Sequence, residues 1–400
     1  MHVAHTKRAM PGMMHHLRTH WTLAAVIATI AAAAIDPPLG LRWYKVGSRV
    51  LITSLFALLG LTLQLGQLRD GLLDLRSHCL IQACSLLLIP TLYYVLVFRW
   101  DFGHAPDGVL SAPFAIGLMA ALCMPTTTNT SVLFVQQAKG DVAVATLNAA
   151  VGNLVGALFS PVLAACLINS VVSGSSRVSS DAATTAVKLS KEIVAPLLCG
   201  LAVQLAVARS GAIAAAPRAR AVRGLLRLSN VILVCLFYLV FAKAFSTSTG
   251  ALQPASIAKL CAWVTLWHIA AVLVCWKASA LLAYGQRGAS PEGSAPSKAP
   301  PAYREVSRRI TFVLVAPQKT ESMAIAILTA LFDGSPDLGA LTLPIVVWHT
   351  VQMIVAALLI PRLRGLAEHA ASTDPALADA AEKTEPLLGG VKGKEPKGIS

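Results

Sequence analysis

Acidic residues are scarce. The 400-residue chain carries 19 Asp and Glu against 33 Lys and Arg, and charged residues make up only 13% of it. Soluble domains hold about a quarter, so a soluble enzyme or module is excluded. The formal charge of +14 does not point to nucleic acid. The basic residues cluster in short segments between apolar runs, where they act as orientation signals. Metal-ligand spacing is also missing. The eight cysteines are scattered through apolar runs and none forms a CxxC pair, so they read as small buried thiols. H-E-x-x-H, P-loop and G-x-G-x-x-G patterns are absent, as are paired aspartates within apolar runs. No catalytic constellation remains for an enzyme.

Hydrophobic residues are abundant, at 56%, with a mean hydropathy of +0.66. Several runs exceed the ~18 apolar residues that mark a membrane-spanning helix. The chain reads as an all-α polytopic membrane protein with ten spans, 21–35, 46–65, 79–98, 109–137, 142–168, 193–208, 225–245, 257–284, 310–332 and 338–360. Residues 1–20 form a short basic tail. The first span has the shape of a cleaved signal peptide as well as that of a retained helix. The retained helix fits the even count. Residues 171–187 form a polar extracytosolic loop, Arg209–Arg227 a basic loop, and 285–302 a flexible linker rich in Pro, Ser and Gly. Residues 364–400 form a polar, disordered tail. With both termini in the cytosol, Lys7, Arg8, Arg18, Arg218, Arg220, Arg223, Arg304, Arg308 and Arg309 fall inside. The outside segments hold little beyond Arg42, Lys45, Arg99, Arg177 and Lys188. That bias obeys the positive-inside rule. A plasma-membrane or secretory-pathway (Golgi or ER) location is expected.

Two spans are broken. Cys123-Met124-Pro125 interrupts the fourth, and the polar run Thr126, Thr127, Thr128, Asn129, Thr130, Ser131 follows at once. Proline lacks the N–H and clashes with the preceding turn. A non-helical polar stretch at membrane depth is tolerated only where protein buries it or it lines a cavity. Ala316-Pro317-Gln318-Lys319-Thr320-Glu321-Ser322 repeats the device in the ninth span. The following spans end alike, in Ser160-Pro161 and Ile360-Pro361. Spans four and five thus match nine and ten, five spans apart. An odd number of spans per repeat inverts the second repeat, so residues 21–170 and 188–363 form two inverted five-helix repeats. Paired broken helices in inverted repeats are the mark of secondary transporters.

Leu118-Met119, Pro125, Ser131-Val132, Ala138-Lys139-Gly140-Asp141, Asn148, Gly152-Asn153 and Ser160-Pro161 resemble the bile acid:sodium symporter superfamily. Ala316-Pro317-Gln318-Lys319-Thr320 and Val347-Trp348-His349 with Gln352 resemble its sodium/bile acid cotransporter 7-like branch. The resemblance implies a ten-helix fold in which a panel moves against a core where the broken helices cross. It implies secondary transport of an organic anion by alternating access, with Na⁺ as the candidate coupling ion. It also implies a link to cellular calcium. A non-transporting regulator of calcium-entry machinery that keeps the fold is the alternative. The expected partners are the lipid bilayer and a small anionic solute.

One departure from the superfamily concerns its ninth-span acid, which helps bind sodium and precedes a Gln-Asn pair. With the Gln aligned on Gln318, Leu314 stands near the acid's position and Lys319 at the Asn. Thr126 to Ser131, Gln318 and Glu321 remain as oxygen ligands for Na⁺. A mid-membrane lysine costs about 2.5–3.5 kcal/mol on insertion scales and needs an interior partner. Either Lys319 replaces a bound cation and attracts an anionic solute, or it pairs with Glu321 or another acid to hold the crossover. Asn148 and Asn153 either ligate an ion or bridge helices. His349 and Gln352 either line the site or bond between helices. His268 reads as structural. Lys243, near a span end, is expected to snorkel to the interface.

Overall fold

The structure, a computed structural model, describes residues 21–62, 75–99, 109–127, 129–172, 190–210, 215–247, 253–281, 301–332, 335 and 337–372. Among them there is no strand. The helices are α1 (Trp21–Ile35), α2 (Pro37–Thr62), α3 (Leu75–Phe98), α4 (Ala112–Leu122), α5 (Asn129–Gln137), α6 (Val142–Val172), α7 (Ala195–Ser210, after a π-helical turn Ser190–Val194), α8 (Ala215–Thr247), α9 (Pro254–Ala278), α10 (Pro301–Val315), α11 (Glu321–Leu331) and α12 (Leu338–Ser372). Six of these, α2, α3, α6, α8, α9 and α12, contain stretches long and apolar enough to cross a membrane. Helices α4, α7 and α11 are shorter and apolar.

Several boundaries move from their expected places. Arg209–Arg227 is not a loop throughout, because α8 begins at Ala215 and carries Arg220, Arg223 and Arg227 on exposed positions. Ala, Arg and Leu are good helix formers, and Pro217 sits in the first turn, where proline is tolerated. Likewise α10 begins at Pro301 rather than 310, so the last two residues assigned to the linker are helical. Helix α12 runs on to Ser372, so 364–372 are not disordered. The rest of both segments, like residues 1–20 and the body of the polar loop, lies outside the described residues. Lys243 does not snorkel. It is buried, with its Nζ 4.2 Å from the centre of the Tyr44 ring, a cation–π contact.

The helices sort into two packed groups. Helix α8 lies along α2 and α1, and α2 lies along α7. Gly60 of α2 faces the carbonyl of Leu197, and Gly200 of α7 faces the carbonyl of Ala57. A Cβ at either glycine would meet the opposite backbone, so the pair permits the close crossing. Helices α3 to α6 and α9 to α12 form the second group. Within it α12 packs on α4, α9, α10 and α11, and α8 touches α12 across the boundary. His268 on α9 is buried edge-on against Trp348 of α12, with centroids 5.0 Å apart, and serves packing.

Candidate functional site

The chain between α4 and α5 crosses the chain between α10 and α11. A helix ends with carbonyls, and begins with N–H groups, that lack intrahelical partners. In lipid each orphan costs several kcal/mol. Here the two breaks complete each other. Thr126 Oγ1 donates to the carbonyl of Val315, the last residue of α10, at 2.7 Å. Thr320 N–H, at the start of α11, donates to Pro125 O at 2.9 Å. Lys319 Nζ donates to Met124 O, at the end of α4, at 3.0 Å.

The Lys319 ammonium also donates to Ser85 O and, at 3.2 Å, to Ser85 Oγ on α3. The sequence reading had not singled out Ser85. Its signal lies in Pro90. Residues Ala83–Leu88 form a π-helical turn, in which Ile89 N–H reaches back to Cys84 O. In that register the donor for Ser85 O would be the N–H of residue 90, and a proline has none. The lysine supplies the missing donor. Lys319 is only 2% exposed. Its place at the C-terminal end of α4 is also where the helix dipole favours a cation.

Gln352 of α12 clasps the second break from the other side. Its Oε1 accepts Lys319 N–H at 2.8 Å and its Nε2 donates to Lys319 O at 3.1 Å. The same Nε2 lies 3.1 Å from His349 Nδ1. His349 Nδ1 is in turn 2.9 Å from Glu321 Oε2. Glu321 opens α11, where a carboxylate suits the helix N-terminus. The Lys319–Glu321 pairing considered from sequence does not form.

A cavity of about 350 Å³ lies between the two helix groups. The second group lines it with Thr127, Thr130, Thr146, Asn153, Thr320, Glu321, Ser322 and His349. The first group contributes Leu55, Phe56, Leu59 and Thr62 from α2, and Leu226, Ser229, Asn230 and Leu233 from α8. Of the residues nominated from sequence, Thr127, Asn153, Thr320, Glu321 and His349 reach this cavity. Thr126, Ser131, Asn148, Gln318, Lys319 and Gln352 are buried behind it. Thr128 lies outside the described residues, as does the side chain of Asn129. Thr127 Oγ1 donates to Gln318 Oε1 at 3.4 Å and accepts Ser131 N–H at 3.3 Å. Asn148 Nδ2 bonds back to Val144 O at 3.0 Å, and its own carbonyl accepts Gln82 Nε2 at 2.9 Å. Asn148 therefore bridges α6 to α3. The cavity wall of α2 and α8 went unnoticed because its residues look like ordinary span residues in sequence.

A model of the SBF-like CPA transporter family matches residues 20–365. The chain belongs to that family. Similar proteins include sodium/bile acid cotransporter 7-A of Xenopus laevis, 21% identical over 360 residues, covering 88% of this chain and 94% of that one. Sodium/bile acid cotransporter 7 of Rattus norvegicus is 21% identical over 359 residues, with 88% and 94% covered. The protein named "Probable sodium/metabolite cotransporter BASS4, chloroplastic" of Oryza sativa subsp. indica is 27% identical over 347 residues, with 86% and 75% covered. This member of the SBF-like CPA transporter family is thus a multi-pass membrane transporter, and its relatives are cotransporters rather than enzymes. The residues that lock the two breaks together, Thr126, Lys319 and Thr320, all lie inside the matched region.

Proposed function

We propose that this chain is a cation-coupled cotransporter of a small organic anion, working by alternating access. The group α1, α2, α7 and α8 is the panel that moves, and the rest is the core. The ten expected spans are then α1, α2, α3, the broken pair α4/α5, α6, α7, α8, α9, the broken pair α10/α11, and α12. They form two inverted repeats, 21–170 and 188–363, with both termini cytosolic, in the plasma membrane or a secretory-pathway membrane.

The cavity carries this reading. It lies where the two helix groups meet, and the first turns of α5 and α11 supply Thr130, Glu321 and Ser322 to its wall. Each helix N-terminus is worth roughly half a positive charge; that of α11 offsets part of the Glu321 charge, and that of α5 favours an anion in the cavity. Leu55, Phe56, Leu59 and Leu233 opposite suit an apolar body on that anion.

The relatives' names offer sodium as the coupling cation and bile acids or metabolites as solutes. At the crossover of this chain, Lys319 already holds the carbonyls a cation would take. A second monovalent cation about 4 Å from that ammonium would meet roughly 4 kcal/mol of repulsion at an effective dielectric near 20. The committed carbonyls also favour a second reading, in which the fold is kept without transport and restrains calcium entry through a partner.

Counterflow in proteoliposomes tests the first reading. Vesicles preloaded with an unlabelled organic anion should accumulate labelled anion only when they contain the protein. A panel of bile acids and smaller carboxylates and sulfonates that gives no protein-dependent exchange would defeat it. Restoration of normal calcium entry in cells by a variant with a blocked cavity would establish the second.

A further inference from the structure

Glu321, His349 and Gln352 form a chain of polar contacts that meet at one ring nitrogen. Lys319 N–H can only donate, so the atom of Gln352 that it reaches at 2.8 Å must be the carbonyl Oε1. The amide orientation is therefore fixed, and Gln352 turns its Nε2–H₂ toward His349 Nδ1, at 3.1 Å. On its other side Nδ1 meets Glu321 Oε2 at 2.9 Å. One nitrogen thus faces a donor and an acceptor. Carrying a proton, it bonds to the Glu321 carboxylate and has no lone pair for Gln352. Without the proton it accepts from Gln352 and leaves the carboxylate unmatched. No single state satisfies both contacts.

We propose that Glu321 and His349 are the coupling-ion site of this cotransporter, and that the ion is a proton. This rests on the cotransporter reading above. In the unloaded site Glu321 is a carboxylate and His349 a neutral ring that accepts from Gln352, for a net charge of −1. One proton added at Nδ1 makes an imidazolium that donates to Glu321, and the net charge becomes zero. The unloaded site repels an anion from the cavity that it lines, and the loaded site does not. Proton and anion therefore enter together. Gln352 links this choice to the crossover, because the same amide grips both the N–H and the carbonyl of Lys319.

Among the described residues no other titratable group lines the cavity beside the pair. α2, α5, α6 and α8 give the cavity only apolar, hydroxyl and amide groups. Helix α4, which packs against α11 and α12, carries no ionisable side chain from Ala112 to Leu122. Lys319 directs its ammonium to Ser85 and Met124, and the thiols of Cys84, Cys123 and Cys275 lie on that side. Four oxygens of the crossover already accept hydrogen bonds: Gln352 Oε1 from Lys319 N–H, Gln318 Oε1 from Thr127, and Met124 O and Ser85 O from the ammonium.

Two measurements test the inference. Potentiometric titration of the purified protein in sodium-free detergent between about pH 5 and pH 8, the range in which histidine titrates, should show one more proton bound than by the double variant Glu321→Gln/His349→Gln. Superimposable titration curves overturn the proposal. In proteoliposomes, with taurocholate as the probe anion and sodium absent, an inward proton gradient should raise uptake by a factor in the range of roughly 5–150, the usual span of a coupling energy. Glu321→Gln should abolish the response of uptake to the proton gradient. Uptake driven by sodium and indifferent to the proton gradient overturns the inference and leaves the cotransporter reading intact. A proton difference in the titration with no taurocholate movement under either gradient supports the site and overturns that solute class.

Discussion

The ammonium of Lys319 and the carbonyl of Met124, 195 residues apart in sequence, lie 3.0 Å from each other where the two broken helices cross. Met124 is the last residue before the proline that ends α4, and Lys319 follows the proline that ends α10. The charge thus closes the C-terminal end of one helix from within the break of another. A helix end buried in an apolar setting needs such a partner, and a fixed ammonium cannot leave as a transported ion would.

Removing that charge has a defined cost. Lys319→Ala deprives Met124 O and Ser85 O of their donor. A hydrogen bond to a charged group contributes about 1.5–3 kcal/mol, and thermal unfolding in detergent should show a loss of that order. The variant also reopens a carbonyl-lined space. Sodium should then stabilise Lys319→Ala relative to an inert organic cation at equal ionic strength, by about 2.7 kcal/mol at 100 times its Kd. The wild type should show no such difference. An equal response of both proteins to sodium would mean that the lysine does not stand in the cation's place.

Much of this was legible in the chain itself. Pro125 and Pro317, each followed by polar residues inside an apolar run, located both breaks, and Gln318, Lys319 and Glu321 were nominated from that pattern. What the sequence could not give was direction. Residues close together in a helix break point different ways, and here Lys319 turns to α3 while Glu321 turns to α12. The fate of Glu321 depended on His349, 28 positions further on. The cavity wall of α2 and α8 was hidden for another reason. Its leucines serve lipid, packing or solute equally well by composition, and only the three-dimensional arrangement separates these roles. Helix ends were misjudged where hydrophobicity alone was followed, since α8, α10 and α12 continue into basic, well-propagating sequence beyond their apolar parts.

Pro90 and Lys319 should be energetically coupled. Pro90→Ala gives α3 back an N–H that competes with the ammonium for the carbonyls of its π-helical turn. Unfolding free energies of Pro90→Ala, Lys319→Ala and the double variant should then fail to add. An interaction energy in the usual range of about 0.5–3 kcal/mol is expected. Additivity within experimental error would show that the Ser85 carbonyl does not owe its availability to Pro90.

Gly156 is placed against the first break. A Cβ there would come within 2.7 Å of Pro125 Cβ and 2.9 Å of its Cδ, and a proline ring has no rotamer by which to withdraw. Gly156→Ala should destabilise by about 1–3 kcal/mol, the range for overpacking. Gly365, with nothing within 4 Å of its Cβ position in α12, supplies the control. Gly365→Ala should be neutral or stabilising by up to about 1 kcal/mol. Paired unfolding curves of the two variants would check this, and equal midpoints would contradict it.

Ser229 offers a way to separate solute passage from every other role of the fold. It is half-buried on α8, lines the cavity, and donates to the carbonyl of Leu225 in its own helix, at 3.1 Å. Ser229→Trp places an indole in the space between the two helix groups from a residue that takes no part in the hydrogen bonds of the crossover, of the Glu321–His349 pair or of the lysine. Overpacking a filled core costs about 1–3 kcal/mol, whereas this indole enters an existing space of about 350 Å³, so the loss of stability should be smaller than that. Anion counterflow should nevertheless fall to the level of empty vesicles, because solute and indole compete for the same volume. Thr62→Trp, which enters the cavity from α2 instead, should repeat the result from the opposite side. If both variants unfold like the wild type and still exchange the anion at its rate, the solute does not pass through this cavity. If both lose exchange yet restore calcium entry in cells that lack the protein, the link to calcium does not run through transport.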